Sequence, residues 1–187
     1  MLRLGVVFLG LAFFPLVVFG QNPKNGPEGY SGFAMATGGA AGGKSVPFDF
    51  RINRYATDEE VDQLAVLLKE KGPAALRNKL DKADLGRINP VGSVGNQIAV
   101  ARKRQVGSDT VITIVTARRM SFAELYQGGR SKDYPYGFLQ VKLNEKGEGA
   151  GQIMVAAKIR FDKKKGHYEI ESYGNPYVKA VNVRPAK

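Results

Sequence analysis

Six stretches beyond Gly86 alternate apolar and polar residues with a period of two: NQIAVARKRQV, DTVITIVTARR, YGFLQVKLN, GQIMVAAKIRFD, HYEIESYG and PYVKAVNVR. Successive side chains of a strand point to opposite faces, so this period predicts strands with one face buried and one face wet. The breaks between them are GS, the longer MSFAELYQGGRSKDYP, EKGEG, KKKG and GN. Breaks this short join antiparallel neighbours, which makes the C-terminal half a meander of hairpins.

Upstream, VPFDFRINRY alternates Phe48, Phe50 and Ile52 with Asp49, Arg51 and Asn53, and is expected to be the first strand. TDEEVDQLAVLLKEKGPAALRNKLDKA follows, in which Thr57 can cap a helix and Glu60 can close a capping box. Val61, Leu64, Ala65 and Leu68 then share one helical face. Gly72 is a fitting stop and Pro73 a fitting first-turn residue, so a second short helix with Leu76 and Leu80 is expected. The predicted fold class is α+β: a strand, a helical hairpin, then about six antiparallel strands forming a curved sheet or partial barrel.

Register can be read from the core pattern, because a slip of one residue turns every side chain to the wrong face. Placing Leu139, Val141 and Leu143 beside Ile153, Val155 and Ala157 predicts a five-residue loop, Glu145 to Gly149. Placing Phe161 opposite Tyr168 and Ile159 opposite Ile170 predicts a four-residue loop, Lys163 to Gly166. That second pairing also sets Asp162 against His167, Arg160 against Glu169 and Lys158 against Glu171, which gives these residues a structural reason to exist.

The start, MLRLGVVFLGLAFFPLVVFGQ, has a basic residue at Arg3, an apolar run and small residues before Gln21, the pattern of a signal peptide over 1–20. Cleavage at Gln21 or retention as an anchor both stay open. Residues 21–45, rich in Gly and Pro, are expected to be a flexible segment, and 46–187 a single α+β domain. With no cysteine, an exported chain has no disulfide, no thiolate nucleophile and no cysteine lipid. A formal charge of +11 points to anionic partners. Outside the cytosol these are anionic glycan, lipopolysaccharide or an anionic lipid surface ahead of nucleic acid.

Gly38 to Ser45, GGAAGGKS, fits the phosphate-loop pattern through Gly38, Gly43, Lys44 and Ser45. A working phosphate loop needs a buried strand before it and a helix after it. Val46 and Pro47 instead lead into period-two alternation, so the match is read as false and no nucleotide is expected. The lone histidine, His167, at a lysine-rich turn, and the absence of cysteine leave no catalytic triad, metal site or cofactor to expect. The candidate ligand-binding residues are Arg118, Arg119, Arg130, Lys132, Tyr134 and Tyr136, where arginine beside tyrosine suits an anionic or glycan-like ligand.

GKSVPFDFRINRYATDEEVDQLAVLLKEKGPAAL, SKDYPYGFLQVKLNEKGEGAGQIMVAAKI and EIESYGNPYVKAVNV together resemble a group of secreted bacterial proteins, found mostly in soil bacteria such as acidobacteria, with no established activity. The resemblance implies export and a free-standing domain, and transfers no site residue. Three functions are therefore carried forward. The first is a secreted or periplasmic, non-enzymatic binding module for an anionic or amphipathic ligand. The second is a carrier of an apolar small molecule between curved sheet and helices. The third is a hydrolase using carboxylate and tyrosine chemistry, with Glu124, Asp133 and Tyr134 converging in a cleft.

Overall fold

The meander closes on itself. In the computed structural model, which describes residues 26–38, 41–120, 122, 132–173 and 178–186, the strands are β1 (Glu28–Ala36), β2 (Ser45–Ile52), β3 (Gly86–Pro90), β4 (Asn96–Val106), β5 (Asp109–Thr116), β6 (Tyr136–Leu143), β7 (Gly149–Asp162), β8 (His167–Ser172) and β9 (Val178–Pro185). They pair in the order β6–β5–β4–β3–β2–β1–β9–β7, and β7 returns to β6, completing an eight-stranded antiparallel barrel. The ninth strand, β8, lies outside the ring. Ala157 of β7 pairs with both Tyr136 of β6 and Ser172 of β8, so β8 continues along the edge of β7 that β9 occupies at Gly149–Ile153.

This overturns the expected α+β class, for a physical reason. The six alternating stretches do form β4 to β9, but two further strands complete the ring. One is β3, only five residues long. The other, β1, lies inside the segment 21–45 that its glycines mark as flexible. Its inward positions Gly32, Ala34 and Ala36 are small, and Gly32 lies opposite Phe48. A Cβ on Gly32 would stand 3.0 Å from Val183 Cγ2.

The barrel interior is filled by Phe48, Phe50, Ile98, Ile112, Ile114, Leu139, Val141, Ile153, Val178 and Val183 and their neighbours, all buried. Eight strands enclose a space that side chains alone can fill. Tyr30 and Phe48 both stack on Phe50, with centroids 5.0 and 6.2 Å away, and Phe122 meets Phe48 edge-on. The apolar-carrier reading places its ligand between sheet and helix, where Leu68, Leu76 and Leu80 lie among buried side chains.

The helical hairpin is replaced by one helix, α1 (Asp58–Leu80), kinked where Gly72 takes φ 80 ahead of Pro73. Its capping box is in place, with Glu60 N donating to Thr57 Oγ1 at 3.2 Å and Thr57 N donating to Glu60 Oε2 at 3.0 Å. The helix packs outside the barrel. Leu68, Leu76 and Leu80 seal against Ala99, Val115, Phe138 and Ala157 on the outer faces of β4 to β7. That second core explains why β5 ends and β6 begins in consecutive buried residues instead of strict alternation.

The β7–β8 register agrees residue for residue with the expectation: Phe161 faces Tyr168, Ile159 faces Ile170, and Arg160 faces Glu169. The β6–β7 register keeps the expected faces but is displaced. Leu139 pairs with Ile153 and Leu143 with Gly149, so Gly149 belongs to the strand and the loop begins at Asn144.

Candidate functional site

Thr116, at the end of β5, is fully buried, and its hydroxyl donates to the carbonyl of Arg118 while accepting from Gly137 N at 3.1 Å. Asn96 Nδ2 donates to the carbonyl of Arg119 at 2.8 Å, and Met120 N donates to Val155 O at 3.0 Å. The backbone of three consecutive residues is thereby fixed from β4, β5 and β7. Loops held in this way on a rigid sheet present their side chains at fixed positions.

Arg118 and Arg119 line a cleft of about 470 Å³ together with Asp81, Arg87, Asn96 and Gln97, while Met120 enters the core. Arg87 comes from β3 and donates to Val94 O at 3.0 Å, which fixes one arm of its fork. Asp81, the C-cap of α1, is 3.9 Å from Arg77. Among the described residues neither Arg118 nor Arg119 pairs with a carboxylate. Three guanidinium groups thus share a cleft with one carboxylate, and each guanidinium has a planar donor fork suited to a carboxylate, sulfate or phosphate.

The other predicted site residues do not join them. Arg130 lies outside the described residues, and Lys132 is exposed on a turn. Tyr134 turns toward the β7–β8 hairpin, its hydroxyl 3.4 Å from Glu171, its ring 5.1 Å from Tyr173 and beneath Lys158 Nζ at 5.8 Å. Tyr136 is under α1 and only 1% exposed, so it presents nothing to a ligand at the surface. For the hydrolase, Glu124 lies outside the described residues, and Asp133 is exposed on the turn beside Lys132. Arg87 has no signal in the sequence, because the five-residue strand that carries it is not visible there, and Asp81, Asn96 and Gln97 lie in a predicted helix and strand with nothing local to set them beside the arginines.

Of the stretch Gly38 to Ser45, Gly38 and residues 41–44 lie between β1 and β2 and Ser45 opens β2. Ala36 N donates to Lys44 O and Gly43 N to Ala36 O, each at 3.0 Å. A strand does precede the phosphate-loop match, contrary to the reading of 21–45 as leader, but another strand follows it where a phosphate loop needs a helix.

A second polar cluster was not foreseen. Tyr55 and Tyr30 donate to the same oxygen of Glu28, at 2.7 and 2.9 Å. Burial raises both phenols well above their ordinary range, and the Glu28 carboxylate pushes them further. On the β7–β8 hairpin, Arg160 reaches Glu169 at 2.7 Å and Glu171 at 2.6 Å, while His167 Nε2 lies 3.1 Å from Glu169 on an exposed edge. Among the described residues no group of three or more His, Cys, Asp and Glu side chains is placed to hold a metal ion. Comparison with models of protein families, with curated proteins and with solved structures finds no match.

Proposed function

We propose that the barrel is an exported binding module that takes an anionic group, a sulfate, phosphate or carboxylate borne on a glycan or a lipid headgroup, in the arginine cleft. The observation that carries this reading is the set Arg87, Arg118 and Arg119 around a single carboxylate, Asp81, on a backbone clamped by Thr116 and Asn96. The chain's net charge of +11 favours the approach of any polyanion, and export rests on the basic and apolar start with no cysteine in the chain. The cleft adds a defined place where Arg118 and Arg119, which pair with no carboxylate among the described residues, meet the ligand.

The test measures binding of the full chain to vesicles containing an anionic phospholipid and, separately, to an immobilised sulfated glycan. At least one of the two should bind, with affinity falling steeply as ionic strength rises from about 0.05 to 0.5 M. Arg118→Ala with Arg119→Ala should weaken that binding by about tenfold or more, since charge-assisted hydrogen bonds contribute about 1.5 to 3 kcal/mol each. Absence of binding to both surfaces, or full affinity in the double variant, would remove the cleft from the function.

A further inference from the structure

A second cleft, of about 630 Å³, lies on the outer face of β1, β2 and β9, away from the strands that α1 covers. Phe33, Val91, Asp49, Glu148, Asn182 and Arg184 line it. Phe33 and Val91 are 42% and 62% exposed and offer the cleft an apolar floor. The β6–β7 turn walls one side and leans on β9, where a Cβ on Gly147 would stand 3.1 Å from Pro185 Cγ.

The cleft is organised around a bulge. Ser31 pairs with Arg184 and Phe33 with Val181, so Asn182 and Val183 together oppose Gly32 alone. The register shifts at the same place on the other side, between Gly149 and Gly151 of β7. Asn182 takes φ 52, the only positive value at a non-glycine residue among those described. Such a backbone is strained for a residue with a side chain and is found where a bulge redirects a side chain. Here Val183 enters the core, fully buried, and Asn182 lines the cleft.

The composition of the walls selects the ligand. Two carboxylates, Asp49 and Glu148, face one guanidinium, Arg184, so an anion is disfavoured, the reverse of the arginine cleft. A purely apolar ligand is disfavoured too, because it would strip water from these groups and from Asn182 without replacing the hydrogen bonds. A ligand with a hydrocarbon face and a rim of uncharged hydroxyls satisfies both halves. Its C–H face rests on Phe33 and Val91, and its hydroxyls donate to Asp49 and Glu148 and accept from Asn182 and Arg184. We infer that this cleft binds a neutral sugar chain, at a site separate from the anion-binding cleft.

The experiment follows the backbone amides of the full chain by NMR while maltohexaose, cellohexaose or chitohexaose is added to about 10 mM. At least one of the three should shift the amides of Ser31 to Phe33 and of Asn182 to Arg184. Phe33→Ala should weaken that binding about tenfold or more. Asn182→Gly should do so as well while leaving the melting temperature unchanged or higher, because glycine accepts the positive φ and lacks the amide. Arg118→Ala with Arg119→Ala should leave sugar binding intact, which separates this site from the anion reading. Failure of all three sugars to shift these amides, or binding that neither Phe33→Ala nor Asn182→Gly weakens, would overturn the inference.

Discussion

Lys103 on β4 reaches Glu28 on β1, Nζ 2.9 Å from Oε1, although β3 and β2 lie between their strands. With the hydroxyls of Tyr55 and Tyr30 on its other oxygen, the Glu28 carboxylate ties β1, the segment leading into α1 and β4 together. Burial raises the Glu28 pKa, but the hydrogen bonds from Tyr55, Lys103 and Tyr30 and the charge of Lys103 outweigh it and hold the carboxyl below its ordinary value. A depressed carboxylate contributes stability that is present above its unfolded pKa and is lost as pH falls through the folded one. Glu28→Gln should therefore lower stability at pH 7 by about 2 kcal/mol, the worth of hydrogen bonds to a charged group. Urea unfolding from pH 7 toward pH 2 should show the gap between wild type and variant closing as Glu28 itself is protonated. A gap that stays constant across that range would mean the carboxylate charge is not what holds the cluster.

The same cluster sets the alkaline behaviour. Tyr30 and Tyr55 are raised by burial first and by Glu28 second, so the stability they contribute is present below the unfolded phenol pKa of about 10 and is lost as pH climbs through their folded values. Phenolate absorbance of the eight tyrosines should then rise in two stages, an early one from exposed rings and a late one that coincides with unfolding. Replacing Tyr30 and Tyr55 by Phe should leave the early amplitude unchanged and reduce the late one. A reduced early amplitude would show that these two phenols titrate in the folded protein.

Closure of the barrel depends on backbone approach at β7. A Cβ on Gly151 would lie 1.9 Å from Gln140 O and 2.7 Å from Val141 Cα, backbone atoms that can retreat only by opening the β6–β7 seam. Gly107, in the β4–β5 turn, has open space around it and only its φ of +63 to satisfy. Gly107→Ala should cost about 1 kcal/mol, the penalty of a left-handed alanine, and Gly151→Ala about 3 kcal/mol or more. Thermal unfolding of the two variants compares them directly, and equal costs would contradict the steric argument.

What the sequence discloses follows from where its signal is strong. β4 is legible in NQIAVARKRQV, although Ile98 and Ala101 both enter the core only because a bulge between Ile98 and Val100 breaks the alternation. β1 is silent, because its inward residues Gly32, Ala34 and Ala36 are small, and the partnership of Gly32 with Phe48 is absent from local composition. Without β1 and the five-residue β3 the remaining strands read as an open sheet, so the class is misjudged although most strands are found. Register is legible where charges mark it, as at Arg160 and Glu169, and slips where glycines hide the strand end, as at Gly149. The same holds for the arginine cleft. Arg118 and Arg119 are visible as cations after a strand, but Arg87 becomes their neighbour only through β3. Only Pro135 separates Tyr134 from Tyr136, yet one faces the outer hairpin and the other lies under the helix.

Tyr136 gives the sharpest separation of a ligand role from a packing role. Its ring fills the seam between α1 and the barrel, and its buried hydroxyl has no hydrogen-bond partner among the described residues. Burial pushes the phenol up to about 12, with Arg77 lowering it and Asp81 raising it. A buried hydroxyl without a partner costs about 1 to 3 kcal/mol, whereas the ring contributes dispersion and apolar burial. Tyr136→Phe keeps the ring and removes the hydroxyl, so it should raise stability by about 1 kcal/mol and the melting temperature by about 2 to 4 °C. Tyr136→Ala should lose about 3 to 5 kcal/mol through the cavity it leaves. Because no part of Tyr136 reaches the arginine cleft, Tyr136→Phe should also leave anion binding unchanged. A loss of stability or of binding in that variant would show that the hydroxyl has a partner and that the residue does more than pack.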